Sequence, residues 1–155
     1  MEIIENIEQQ TVQYSSQKAC KSGANWFFWL GGFSMINSLI VYYFGTPNSM
    51  VAFGVTRWLD GTSGRLTAEG FVPPMHTPDL VVNLIIAAAF AGFGYVARKG
   101  SDLAFVVGIF LYVIDSLLVI GLRDFFAFGF HLVGLYFIAR GLLGSRHMRE
   151  NATTI

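Results

Sequence analysis

The chain has 155 residues, 54% of them hydrophobic and 13% charged, with a mean hydropathy of +0.53. A soluble domain carries roughly 25% charged residues, so this surface is not built for water and the chain reads as a membrane protein. Its formal charge is zero, which excludes the basic footprint of a nucleic-acid binder, and its single cysteine, Cys20, excludes an intrachain disulfide framework.

The opening "MEIIENIEQQ" is acidic and lacks the basic start of a cleaved signal, so the first apolar run is expected to stay in the protein. Residues 1–23 are polar, with Ile3, Ile7 and Tyr14 spaced for a weak helical face. They are expected to form a cytoplasmic helix or arm. The first span is then 24–44, "ANWFFWLGGFSMINSLIVYYF", because a spanning helix needs about 20 mainly apolar residues. Trp26 and Trp29 near one end and Tyr42 and Tyr43 near the other suit the two interfacial belts.

Residues 45–78 form an outer loop. Within it, "NSMVAFGVTRWLD" (48–60) reads as a short amphipathic helix, capped by Asn48 or Ser49, with Met50, Phe53 and Trp58 toward lipid or bundle. It is too short to span, so it is expected to lie at the interface or dip in partway. "GTSGRLTAEGFVPP" then reads as irregular loop.

The second span is 79–97, with Asp79 after Pro78 as its expected N-cap. Its "AAAFAG" offers Ala87 with Ala91, and Ala88 with Gly92, as small-residue pairs for close helix packing. "RKGSD" (98–102) is a tight turn into the third span, 103–122, and "RD" (123–124) a second turn into the fourth, 125–143, with a cytoplasmic tail at 144–155. The predicted fold class is therefore an all-α polytopic membrane protein, four transmembrane helices with an amphipathic interfacial helix in the first outer loop. Lys18, Lys21, Arg98, Lys99, Arg140, Arg146 and Arg149 fall on one side, against Arg57, Arg65 and Arg123 on the other. The positive-inside rule then puts both termini in the cytoplasm of a plasma (inner) membrane.

Two residues break the apolar pattern. Asp115 stands inside the third span and His131 inside the fourth. A charge at mid-bilayer costs at least about 2.5–3.5 kcal/mol on insertion scales, so each must find a partner. Asp115 lies eight residues before Arg123 and His131 eight after it. At ~1.5 Å rise per residue both sit about 12 Å below the turn on adjacent antiparallel helices. Ala104, Gly108 and Tyr112 share the Asp115 face, and Ala127, Gly134 and Gly141 share the His131 face. A direct or one-water pairing is expected. Asn37 and Asn83 are placed near the same depth, completing a polar cluster of Asp115, His131, Asn37, Asn83 and Tyr112. Arg57, Asp60, His76, Arg123 and Asp124 lie above it as an outer gate or docking group.

Chemistry beyond pairing has little sequence support. There is no GxSxG, HExxH, P-loop or CxxC. His76, Asp115 and His131 contain ligand types that suit zinc, but at no recognised metal spacing. His131 is the one candidate axial ligand for a haem or pigment, and no cofactor is predicted. The leading expectation is a non-enzymatic subunit or scaffold whose partners are the lipid bilayer and other membrane subunits, or itself, with no nucleic acid. The alternatives are a small transporter or a proton or ligand sensor built on Asp115 and His131, and a membrane enzyme with a metal there.

Overall fold

The computed structural model describes residues 2–44, 54–55 and 76–153. Four helices carry the described chain: α1 Glu2–Phe44, α2 His76–Arg98, α3 Asp102–Gly121 and α4 Phe125–Thr153. Three of them contain stretches long and apolar enough to cross a membrane, Leu80–Arg98, Asp102–Gly121 and Phe125–Asn151. The described residues are thus helical apart from short turns, and the protein is multi-pass.

The helices close into a ring. α1 packs on α4 and α2, and α3 packs on α4 and α2. Each helix turns one stripe inward. On α3 the buried residues are Ala104, Phe105, Gly108, Tyr112, Asp115, Ser116 and Val119, the three-and-four spacing of a helix face. Phe27, Phe90, Phe105 and Ile138 fill the middle of the bundle. Leucines and isoleucines such as Ile85, Leu117 and Leu132 face outward, as expected where the surroundings are hydrocarbon.

Two glycines fix the α1–α4 crossing. A Cβ built on Gly23 would stand 2.5 Å from the Gly141 Cα, and one on Gly141 would stand 2.7 Å from the Gly23 Cα. The two backbones touch where side chains would otherwise hold them apart. Beside this crossing, Cys20 is buried with its Sγ 3.7 Å from the Ala97 carbonyl. Burial raises the thiol pKa, against opposing pulls from Lys21 and Ser145.

Several boundaries differ from the expected ones. Residues 2–23 are not a separate element, because α1 runs unbroken from Glu2 to Phe44. Helix propensity does not stop where apolarity begins, and good helix formers such as Glu, Gln and Lys carry the turn through. α4 likewise continues past Leu143 to Thr153. α2 begins at His76, three residues before Asp79. Pro78 is tolerated there because first-turn N–H groups have no intrahelical partner to lose. In α2, Ala87 is buried and Ala91 half-buried, while Ala88 and Gly92 are exposed. Only the first small-residue pair packs.

The turns are also defined. Gly100 takes φ +81° and Arg123 takes φ 59°, left-handed conformations that end the preceding helices. Ser101 caps α3 by accepting from the Ala104 N–H, and the Asp124 carboxylate caps α4 by accepting from Ala127 N–H at 2.9 Å. Arg123 is exposed.

Candidate functional site: a buried Asp–His pair that holds the Gly54–Val55 backbone

The structure brings Asp115 and His131 together. His131 Nε2 lies 2.8 Å from Asp115 Oδ2, and both side chains are almost fully buried, at 3% and 7% exposure. Tyr112 stacks on the imidazole, with ring centroids 4.7 Å apart and planes 15° apart. It can lie there because Gly134 leaves room, a Cβ at that position coming within 3.0 Å of the Tyr112 ring.

The hydrogen-bonding roles within the pair follow from its neighbours. His131 Nδ1 is 2.8 Å from the Ala127 carbonyl oxygen, and a carbonyl only accepts, so Nδ1 carries a hydrogen and donates. The second ring nitrogen, Nε2, makes the contact with Asp115 Oδ2. Asp115 has two further partners, both backbone donors. Gly54 N–H donates to Oδ2 and Val55 N–H donates to Oδ1, each at 2.9 Å.

Those two N–H groups explain why the carboxylate is there. Gly54 and Val55 are helical, and Gly54 sits directly on α3. A Cβ on Gly54 would come within 2.7 Å of the Asp115 carbonyl oxygen and 2.8 Å of Val119 Cγ2. Backbone inside a bundle in lipid is tolerated only if its polar groups are satisfied by protein. Asp115 does this for two consecutive donors, as a side-chain cap does for a first helical turn. His131 takes the remaining side of the carboxyl group. Asp115, His131 and the Gly54–Val55 backbone form one closed unit.

The other expected cluster residues are distributed around it. Asn37 and Asn83 are buried, and among the described residues neither hydrogen-bonds to the pair. Gly31 lies on the Ala87 carbonyl and Gly94 on that of Ala24. This antiparallel register places Asn83 level with the Ser34–Asn37 turn of α1. Ser34 Oγ, Asn37 Nδ2 and Asn83 Oδ1 are buried without a hydrogen-bond partner among the described residues. Ser38 and Ser116 instead return their hydroxyls to their own helices, at Ser34 O and Val113 O.

Of the outer group, Arg57 and Asp60 lie outside the described residues, as do Met50, Phe53 and Trp58. His76 begins α2, with its side chain outside the description. Arg123 and Asp124 form the α3–α4 turn described above. Among the described residues no three His, Cys, Asp or Glu side chains come together as a metal site.

Sequence reasoning missed several partners. Gly54 and Val55 carry no mark beyond a glycine in an apolar stretch, since backbone donors are not encoded by residue type. At the opposite end of the bundle, Ser145 donates to Asp102 Oδ1 and to the Gly100 carbonyl, Arg149 pairs with Asp102, and Arg98 Nε donates to Asn25 Oδ1 at 2.9 Å. Here the charged neighbours were visible in the turn, but helix rotation decides which of them meet.

No family model matches the chain, and comparison with curated proteins and with solved structures gives no match either.

Proposed function

We propose that the protein is a non-enzymatic, four-span membrane subunit or scaffold, with both termini cytoplasmic and the outer segment dipping into the bundle at Gly54. The reading counts the second half of α1 as the remaining span. It takes its orientation from the cationic residues gathered at the end of the bundle holding Lys18, Arg98 and Arg146.

The observation that carries the subunit reading is an uncovered apolar stripe. Ile3, Ile7 and Tyr14 lie on the part of α1 that precedes its apolar run, and they are 75%, 60% and 68% exposed. Apolar side chains aligned on one face of a helix in water mark a surface for a partner. The buried pair supports the same reading, because its hydrogen-bonding capacity goes into holding the outer segment. A transporter or enzyme would need some of that capacity for a substrate.

The test is purification in mild detergent. A constant partner or a second copy should accompany the wild-type chain, and the Ile3→Glu, Ile7→Glu variant should lose it while melting at an unchanged temperature. A wild-type chain that purifies as a lone monomer contradicts the proposal. In intact cells, a Ser63→Cys thiol in a Cys20→Ser background should label from outside; failure there with labelling at Lys99→Cys reverses the orientation.

A further inference from the structure

We propose that the groove between the first half of α1 and the end of α4 binds the headgroup phosphate of an anionic phospholipid. The groove has a volume of about 530 Å³ and is lined by Ser15, Ser16, Ala19, Arg140, Leu143, Gly144, Arg146, His147 and Glu150. Its place, its charge and its floor point to the same ligand.

The apolar run of α4 ends at Leu143, so the groove stands where hydrocarbon gives way to headgroups. Leu143 and Ala19 form an apolar wall suited to the first carbons of an acyl chain. Arg140 and Arg146 bracket that wall and extend from an exposed face. Long basic side chains at a helix end reach to the interface, and a planar guanidinium bonds two phosphate oxygens at once. The acid in the groove is already engaged, with Glu150 3.4 Å from His147 Nδ1. Among the described residues Arg140 and Arg146 have no acidic partner, which leaves their charge for a ligand.

The floor is built by a close approach. A Cβ on Gly144 would meet the Ser16 carbonyl oxygen at 2.6 Å and the Cys20 nitrogen at 2.9 Å. The bare glycine lets α1 settle on α4 and brings Ser16 to the bottom of the groove. Ser16 is only 7% exposed, and its hydroxyl makes no hydrogen bond to a described residue, while the neighbouring Ser15 donates to the Val12 carbonyl. A hydroxyl that opens into the groove without a partner among the described residues, in a lining shared with Arg140 and Arg146, fits a phosphate oxygen. Lys18 and Lys21 add positive field on the adjoining α1 surface without lining the groove.

Native mass spectrometry of the full chain released from nanodiscs of equal phosphatidylglycerol and phosphatidylcholine tests the site. The wild type should retain phosphatidylglycerol in preference. The Arg140→Gln, Arg146→Gln variant should weaken retention roughly ten- to thirty-fold, as expected when two basic residues near an anionic surface are lost. Arg140→Lys, Arg146→Lys should recover part of it, which separates a ligand contact from misfolding. Ser16→Ala should weaken retention further without changing the melting temperature. Millimolar inorganic phosphate should not displace the lipid. An equal loss on Lys18→Gln, Lys21→Gln would replace the site by a diffuse basic belt, and displacement by free phosphate would make the ligand a soluble anion; either result overturns the proposal.

Discussion

Replacing Asp115 with alanine should destabilise the bundle by about 3–5 kcal/mol, the range for stranding one partner of a buried ion pair. His131→Ala should cost less, about 1–3 kcal/mol. The asymmetry comes from the geometry. Asp115 accepts from His131, Gly54 and Val55, whereas His131 serves the carboxylate and the carbonyl of its own helix at Ala127. Without the histidine, the carboxylate keeps two backbone donors. Without the carboxylate, two backbone N–H groups and an imidazole nitrogen are left unpaired in the bundle.

The same count sets the double variant. For an isolated ion pair, replacing both members with apolar residues is often milder than replacing one. Here the Asp115→Ala, His131→Ala protein should remain close to Asp115→Ala, because the stranded N–H groups of Gly54 and Val55 persist. Asp115→Asn should fall between wild type and alanine. Its carbonyl oxygen can accept one backbone donor, but its amide nitrogen opposes the other. Detergent-solubilised unfolding of the wild type and the four variants, with the alanine set read as a double-mutant cycle, checks this order. Equal losses from the two single variants would mean that the outer segment draws nothing from the acid.

The second large effect is expected at the α1–α4 crossing. Gly23→Ala should cost about 1–3 kcal/mol, the usual penalty for overpacking, because its Cβ would stand 2.5 Å from the Gly141 Cα and 2.8 Å from the Phe137 carbonyl oxygen. Backbone atoms cannot rotate away as a flexible side chain can. Gly23→Val should cost more than alanine. Gly32 provides the control on the same helix. It is exposed, and a Cβ there would meet nothing within 4 Å, so Gly32→Ala should be neutral or stabilising by up to about 1 kcal/mol from helix propensity. The difference between the two alanine variants, in one unfolding assay, isolates the contact from the propensity. A Gly23→Ala protein as stable as Gly32→Ala would remove the crossing from the account.

The long apolar runs made the helices at α2, α3 and α4 readable, since few other structures satisfy a backbone in lipid. The depth match of Asp115 and His131 was readable too, because the tight turn at Arg123 ties two positions equally distant from it. What could not be read was rotation and company. Ala88 and Gly92 are as small as Ala87 and Ala91, yet they face outward, and in lipid an outward leucine resembles an inward one. Trp29 is exposed while Trp26, three residues earlier, stacks on Phe137 with centroids 4.8 Å apart. The donors on Asp115 were hidden for a different reason. They are backbone groups from a segment 60 residues away in the chain, and neither residue type nor periodicity marks them. The continuation of α1 and α4 beyond the apolar runs was hidden because hydropathy reports the solvent of a helix, not its end.

The central claim is that the Asp115 carboxylate holds the Gly54–Val55 backbone against the bundle. Its most direct measurement is the rate at which a thiol at Val55 reacts with a membrane-impermeant maleimide, in a Cys20→Ser background. Val55 is half-buried and donates its N–H to Asp115 Oδ1, so Val55→Cys should label slowly with Asp115 present and much faster once Asp115→Ala is added. Fast labelling with Asp115 intact, or slow labelling that Asp115→Ala leaves unchanged, would contradict the claim.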